Sequence, residues 1–193
     1  MKAWNTKPQR LVIERTLAAL DGNGIEAELA ATGAEVFTMT SETLDAIGLT
    51  EELNESGRYT SVRKALFAMD PKTQGREQRK LGAAPDFAVG SVHAVTETGT
   101  LVIASRTGSQ LPAYVFAGGT VIWVVGVQKI VKDVEEGMTR IGEYLLDKES
   151  ARAIKAHGLS RDFRTFAGKV LLYNKEVQPG RAKLILVDEV IGS

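Results

Sequence analysis

The chain has 193 residues, 24 of them basic and 24 acidic, and it contains no cysteine. That length suits one domain, and the balanced charge supplies no global field that would draw the protein to nucleic acid or to a membrane surface. Lacking cysteine, it forms no disulfide, no thiolate nucleophile, no Cys-ligated zinc site and no iron–sulfur cluster on its own side chains.

Apolar residues make up 44% of the chain, enough to bury a real core. The longest apolar run, Val121-Ile-Trp-Val-Val-Gly-Val127, is far shorter than the roughly 18 residues that span a bilayer and suits a buried strand. Residues 1–8 lack the apolar stretch of a signal peptide. A soluble cytoplasmic protein of one domain, residues 1–193, is therefore expected, with residues 1–9 as a loosely ordered lead-in.

Along the chain, Ile13, Leu17 and Leu20 recur at helical spacing, and Asp21-Gly-Asn-Gly24 ends that helix. Residues 25–29 alternate as a short strand should, and residues 34–39 read as a second. Ser41 then caps a short helix with Glu42 and Asp45 in its first turn, where the helix dipole favours acids. Val62, Leu66 and Met69 keep helical spacing, interrupted by Pro71, Gly75 and Gly82. Between residues 58 and 80, Arg58, Arg63, Lys64, Lys72, Arg76, Arg79 and Lys80 face only Asp70 and Glu77. This run reads either as solvated helix faces or as a rim that attracts an anion.

Residues 87–90 read as a buried strand, and residues 93–97 and 100–104 as two strands joined tightly at Thr98-Gly99. A short helix starts in Thr107-Gly-Ser-Gln-Leu-Pro112, and the strand over 121–127 follows. Val131, Val134, Met138, Ile141 and Leu145 have the 3,4,3,4 spacing of one buried helix face. Another helix runs from about Lys148 to Ala156 and ends at His157-Gly158. Residues 170–173 and 182–187 are strands joined through Pro179-Gly180. This alternation predicts an α/β domain. Trp4 and Trp123 read as packing residues, since no basic residues interleave with aromatics as nucleic-acid binding would require.

The chain has no Walker phosphate loop. Gly22-Asn-Gly24 lacks the third glycine of the dinucleotide fingerprint and precedes a strand, and the two histidines, His93 and His157, belong to no metal-ligand pattern. Three clusters remain. In Thr38-Met-Thr-Ser-Glu-Thr43, Thr40 and Ser41 bring hydroxyls to a helix start, which either binds a small anion or simply caps the helix. In Glu97-Thr-Gly-Thr100 and Thr107-Gly-Ser109, glycine lets a ligand approach backbone while Thr98, Thr100, Thr107 and Ser109 offer hydroxyls. Glu97 is there the candidate base or nucleophile, with Gly99 and Gly108 at the turns; the alternative is ordinary turn chemistry. In Gln128-Lys129, the lysine follows a buried strand, where open α/β sheets collect ligands; the alternative is a surface lysine opening a loop.

At these clusters the sequence resembles a known family. His93-Ala-Val-Thr-Glu-Thr-Gly-Thr-Leu-Val-Ile103 is similar to the "ETGT" signature of LUD-domain proteins, the lactate-utilization protein C family once classed as a domain of unknown function. Further matches stand in order: Thr43-Leu-Asp-Ala-Ile-Gly48, Val121-Ile-Trp-Val-Val-Gly-Val-Gln-Lys-Ile-Val131, Gly168-Lys-Val-Leu-Leu-Tyr-Asn-Lys-Glu-Val177, Pro179-Gly-Arg181 and Leu186-Val-Asp-Glu-Val-Ile-Gly192. The resemblance implies a three-layer α/β sandwich with a mostly parallel central sheet, of the ribose-5-phosphate isomerase, glucosamine-6-phosphate deaminase and CoA-transferase type. It also implies a role in oxidation of L-lactate to pyruvate beside iron–sulfur partner subunits, with no cofactor bound by this chain, a small anionic ligand, and a fold that admits a homodimer. Two other readings stay open: a free-standing enzyme on a sugar phosphate or CoA thioester with Glu97 as nucleophile, and a non-catalytic interaction module.

Overall fold

The computed structural model describes residues 4–30, 41–57 and 59–193. Helix α1 (Arg10–Gly22) buries Ile13, Thr16 and Leu20, and strand β1 (Glu26–Ala30) follows it. The strand expected over 34–39, together with Thr40 and Arg58, lies outside the described residues. Ser41 caps α2 (Glu42–Ala46), its Oγ accepting the Leu44 N–H at 3.1 Å, with Glu42 and Asp45 in the first turn. Next come α3 (Leu49–Glu55), α4 (Val62–Ala68) and α5 (Gly75–Ala83). Lys64, Lys72, Arg76, Arg79 and Lys80 of the basic run are exposed.

The remaining strands are β2 (Phe87–Gly90), β3 (Ala94–Thr96), β4 (Leu101–Ser105), β5 (Thr120–Gly126), β6 (Ile130–Val131), β7 (Lys169–Tyr173) and β8 (Ala182–Val187). One sheet has the order β1-β8-β5-β2 and is parallel throughout. The other, β6-β3-β4-β7, pairs β3 parallel with β6 but antiparallel with β4, and β4 antiparallel with β7. The α/β class is as the sequence pattern predicts, and the mostly parallel sheet is as the family resemblance implies.

Side-chain alternation in β5 shows how the layers stack. Val121, Trp123 and Val125 join Ile13 and Leu20 of α1 and Val95, Leu101 and Ile103 of the second sheet. Ile122 and Val124 face the other way, into a cluster with Leu44, Leu49 and Leu53 of α2 and α3. A parallel strand covered on both faces is apolar at every position, which explains the unbroken run. Trp123 is fully buried and meets Tyr114 and Tyr173 edge-on at 5.6 and 5.2 Å. Each such buried large side chain contributes about 2 kcal/mol through removal from water. Trp4 is also buried, packing with Ala94, Val102, Ala104, Val131 and Ile141 on the far face of the second sheet.

One helical expectation is corrected. Val131 is not helical but pairs in β6, and Met138 is exposed. Asp133 caps α6 (Val134–Arg140), and a π-helical turn (Ile141–Leu145) carries it without a break into α7 (Leu146–His157). The buried face runs through Gly137, Arg140, Ile141 and Leu145 instead. The reason is close approach: a Cβ at Gly137 would lie 3.1 Å from Val102 Cγ2 and 3.4 Å from Ala94 Cβ, so the helix rests on the sheet through its glycine.

Two three-residue connectors link the sheets side by side. Residues 91–93 carry the chain from β2 into β3, and Val127–Lys129 carry it from β5 into β6. Both leave neighbouring strands of the parallel sheet at their carboxyl ends and enter the second sheet.

Candidate functional site

These connectors form the floor of a cleft of about 340 Å³. Ser91, Val92 and His93 come from one and Lys129 from the other; Thr43 arrives from α2, and Ala104 and Ser105 from the end of β4. Arg106, Thr107, Ser109 and Arg152 line the cleft as exposed side chains and make its rim. In open α/β sheets ligands collect outside the carboxyl ends of the strands, and this cleft occupies that place.

Lys129 is 3% exposed. Its Nζ donates to Thr43 Oγ1 at 2.9 Å, Ser91 Oγ at 3.1 Å and the Val92 carbonyl at 3.2 Å. Among the described residues no carboxylate lies within ion-pair distance of it. Burial pushes the ammonium from its ordinary 10.5 down to about 7; the Arg140 charge adds to that, and Glu42 and Glu149 oppose it.

Two further nitrogen groups lie near the lysine, His93 on the cleft lining and Arg140 buried. His93 Nδ1 accepts the Ala104 N–H at 3.1 Å, which leaves the imidazole proton on Nε2. Burial, reinforced by Lys129 and Arg140, holds His93 at about 3, so it is neutral. Arg140 has no exposed surface; its Nη1 donates to the His93 carbonyl at 2.7 Å, while Nε and Nη2 find no partner among the described residues. Burial lowers Arg140 to about 10, and its guanidinium lies 5.2 Å from the Tyr144 ring centre. Arg140 and the protonated form of Lys129, beside a neutral imidazole, make the floor electropositive, and a bound anion would offset that charge. Of the acids lining the cleft, Glu149 is held by Arg152 at 2.6 Å and Glu42 accepts the Ser193 hydroxyl.

The residues singled out in the sequence divide into two groups. Ser41, Thr107, Ser109 and Lys129 line the cleft, and Gly108 stands between two of them. Ser41 spends its hydroxyl on the α2 cap, and Gly108 donates its N–H to Ser105 Oγ at 2.8 Å. Glu97, Thr98, Gly99 and Thr100 lie elsewhere. The cleft meets the β3–β4 ribbon at His93 and Ala104, and the turn closes its other end, about 13 Å away at 3.3 Å per residue.

At that turn the polar groups are absorbed internally. Glu97 Oε2 accepts from Arg15 Nη2 at 2.6 Å, and the Glu97 N–H donates to the Val131 carbonyl at 2.8 Å. The Thr98 carbonyl accepts from Asn23, Thr100 Oγ1 donates to Asn174, and Thr96 Oγ1 accepts the Thr100 N–H. Gly99 has φ +81°, and a Cβ on it would sit 2.7 Å from the Ala19 carbonyl carbon and from Asn23 Nδ2.

Ser91, His93 and Arg106 are not among the sequence candidates, and Thr43 stands among them only as the last residue of the 38–43 cluster, yet all four build the cleft. Polar residues wedged between two apolar strands, as in Ser91-Val92-His93, are the signal that marks them. No group of three or more His, Asp or Glu side chains among the described residues is arranged to hold a metal ion. No helix among them is long and apolar enough to cross a membrane.

Comparison with known proteins gives the geometry a context. The chain is similar to the crystal structure of a DUF162 family protein from Deinococcus radiodurans, at 13% identity and a TM-score of 0.50, over 93% of this chain and 99% of that one. At that identity the likeness speaks for the fold alone. A search of curated proteins finds no match. The family model of the LUD domain matches residues 11–187, from α1 through the turn and the cleft to the end of β8. The chain belongs to the LUD domain family.

Proposed function

We propose that the Lys129 cleft binds a small carboxylate, and that the chain serves L-lactate utilization as a cluster-free subunit beside iron–sulfur partners that carry the electrons of lactate oxidation to pyruvate. The LUD domain family is associated with lactate utilization in general. The observation that carries the cleft reading is the buried Lys129 ammonium, bonded only to neutral oxygens, with Arg140 near it. Arg106 on the rim supports it: the guanidinium is steadied 5.1 and 5.8 Å from the Phe163 and Phe166 ring centres and has no carboxylate partner among the described residues. A volume near the low end of the roughly 300–1,000 Å³ usual for ligand pockets favours a small acid over a dinucleotide or CoA.

Glu97 as an acyl-accepting nucleophile has less support, because its carboxylate is taken by Arg15 and does not line the cleft. The test is a thermal-shift panel of lactate, pyruvate, sugar phosphates, CoA, acyl-CoAs and nicotinamide cofactors. A ligand at about 100 times its Kd adds roughly 2.7 kcal/mol, a shift of several degrees in a domain of this size. A carboxylate response that Lys129→Met abolishes is the expected result. A response confined to CoA compounds, or one indifferent to Lys129→Met, overturns the reading. Co-purification with iron–sulfur proteins tests the partner half separately.

A further inference from the structure

We propose that Lys129 bonds its ligand covalently: the Nζ condenses with the carbonyl of a small 2-oxo carboxylate to give a Schiff base, so the cleft selects the oxo acid over the corresponding hydroxy acid. This rests on the reading of the cleft as a small-carboxylate site and goes one step past it.

The geometry fits an amine that must shed its proton. A lysine paired with a carboxylate is held as ammonium, whereas Lys129 touches two hydroxyls and one carbonyl. Those three oxygens accept from an ammonium. They serve a neutral amine equally well, because either Thr43 or Ser91 can reverse and donate to its one lone pair while the other hydroxyl and the Val92 carbonyl accept its two N–H groups. Discharging the nitrogen therefore leaves no acid stranded. Arg140, fully buried with two nitrogens, Nε and Nη2, that find no partner among the described residues, is a positive neighbour that favours that discharge. In line with this, burial and Arg140 bring the ammonium to about 7, so about half the amine is free to attack near neutral pH.

The step needs no outside reagent. The Nζ lone pair attacks the carbonyl carbon, the C=O π electrons move to oxygen, and that oxygen takes a proton to give a carbinolamine. Nitrogen then expels the hydroxyl as water, and the C=N bond forms. Amine plus ketone gives imine plus water, with nothing oxidised or reduced. Ser91 and Thr43 hydroxyls, each within 3.1 Å of Nζ, can pass the proton from nitrogen to the departing oxygen. Arg106 offers the substrate carboxylate a cation on the rim of the same cleft. Lactate has a hydroxyl where pyruvate has the carbonyl, so it can occupy the cleft but cannot condense.

The experiment uses the intact chain. It is incubated near neutral pH with pyruvate and sodium cyanoborohydride, then analysed by intact mass and peptide mapping, with lactate in parallel. One reduced pyruvate adduct on Lys129 is expected, at least about tenfold above any exposed lysine such as Lys72 or Lys80, because an ordinary lysine amine is overwhelmingly protonated at that pH. No adduct forms with lactate. Mapping the wild-type chain keeps the result independent of whether a Lys129 variant folds. Label spread over the exposed lysines with no excess at Lys129 overturns the proposal, as does no label at all. If pyruvate raises the melting temperature without an adduct, the Schiff base fails and the carboxylate reading survives. If neither carboxylate shifts the melting temperature and no adduct forms, both fail.

Discussion

The β3–β4 turn and the Lys129 cleft sit at opposite ends of one short ribbon and use polar residues in opposite ways. At the turn, glutamate, threonines and glycine stand together in the sequence, and their groups are consumed by neighbours in α1, β6 and the segment after β7. At the cleft the residues come from separate stretches spread between Ser41 and Ser193, and among the described residues no carboxylate lies within ion-pair distance of the buried Lys129 and Arg140. A dense local motif is thus a device for fastening elements, while the unbalanced charge lies where the chain crosses from one sheet to the other. Unsatisfied buried groups are costly to the fold, and an anion bound in the cleft would offset part of that cost.

If the turn is a fastening, breaking it should cost the fold and spare the chemistry. Gly99→Ala places a Cβ at positive φ against the Ala19 backbone. We expect a loss of roughly 3 kcal/mol, from αL strain plus overlap, lowering the melting temperature by about 6–12 °C. The surviving folded protein should respond to pyruvate as before. A melting temperature within about 2 °C of wild type would show that the turn can relax and that the contrast is overdrawn.

Lys129→Met should do the reverse. The ligand response of roughly 2.7 kcal/mol disappears, and so does one component of the pH dependence. The lysine holds about 7 in the folded chain against an ordinary 10.5, so between those values the unfolded state binds more protons and stability climbs with pH. The climb amounts to at most about 1.4 kcal/mol per pH unit, and denaturant titrations at a series of pH values should show it flattened in the variant. His93 gives the acid counterpart. Its folded value of about 3 lies below 6.5, so stability falls as pH drops through that window. His93→Gln should remove that component of the acid loss and leave the alkaline climb in place. An unchanged acid limb would mean that His93 is hydrated and that the floor is wetter than its packing indicates.

The same contrast governs how much of the molecule is legible in its sequence. The strand over 121–127 is plain because a parallel strand covered on both faces is apolar throughout, and the Ser41 cap and the tight β3–β4 connection are plain because each is encoded within a few neighbouring residues. The buried face of α6 departs from its apolar spacing by one position. Hydrophobic spacing picks out Met138, whereas close packing demands Gly137, with the polar Arg140 drawn in beneath. Lys129 can be placed after its strand, but its burial depends on Thr43 and Ser91, 86 and 38 residues away. Local pattern reports what neighbours in sequence do for one another, and the cleft is made of residues that are not neighbours.

The smallest expected effect separates the two regions most cleanly. Glu97 is the acid whose chemistry and motif stand out most in the sequence, and Glu97→Gln changes only its charge. Its partner Arg15 has a side chain 56% exposed and its own is 28% exposed, so solvent screens the pair. Such pairs contribute roughly 0.2–1 kcal/mol, and the glutamine amide oxygen can still accept from the guanidinium. We therefore expect a melting-temperature change of at most about 4 °C, together with an unaltered pyruvate response and unaltered labelling of Lys129. The informative outcome is the opposite one. Because the turn and the cleft are about 13 Å apart along a two-stranded ribbon, loss of ligand response with the fold intact would require Glu97 to act on the ligand directly or through a shift of β3 that moves His93. Either would return the reacting carboxylate to the turn and make the cleft its accessory.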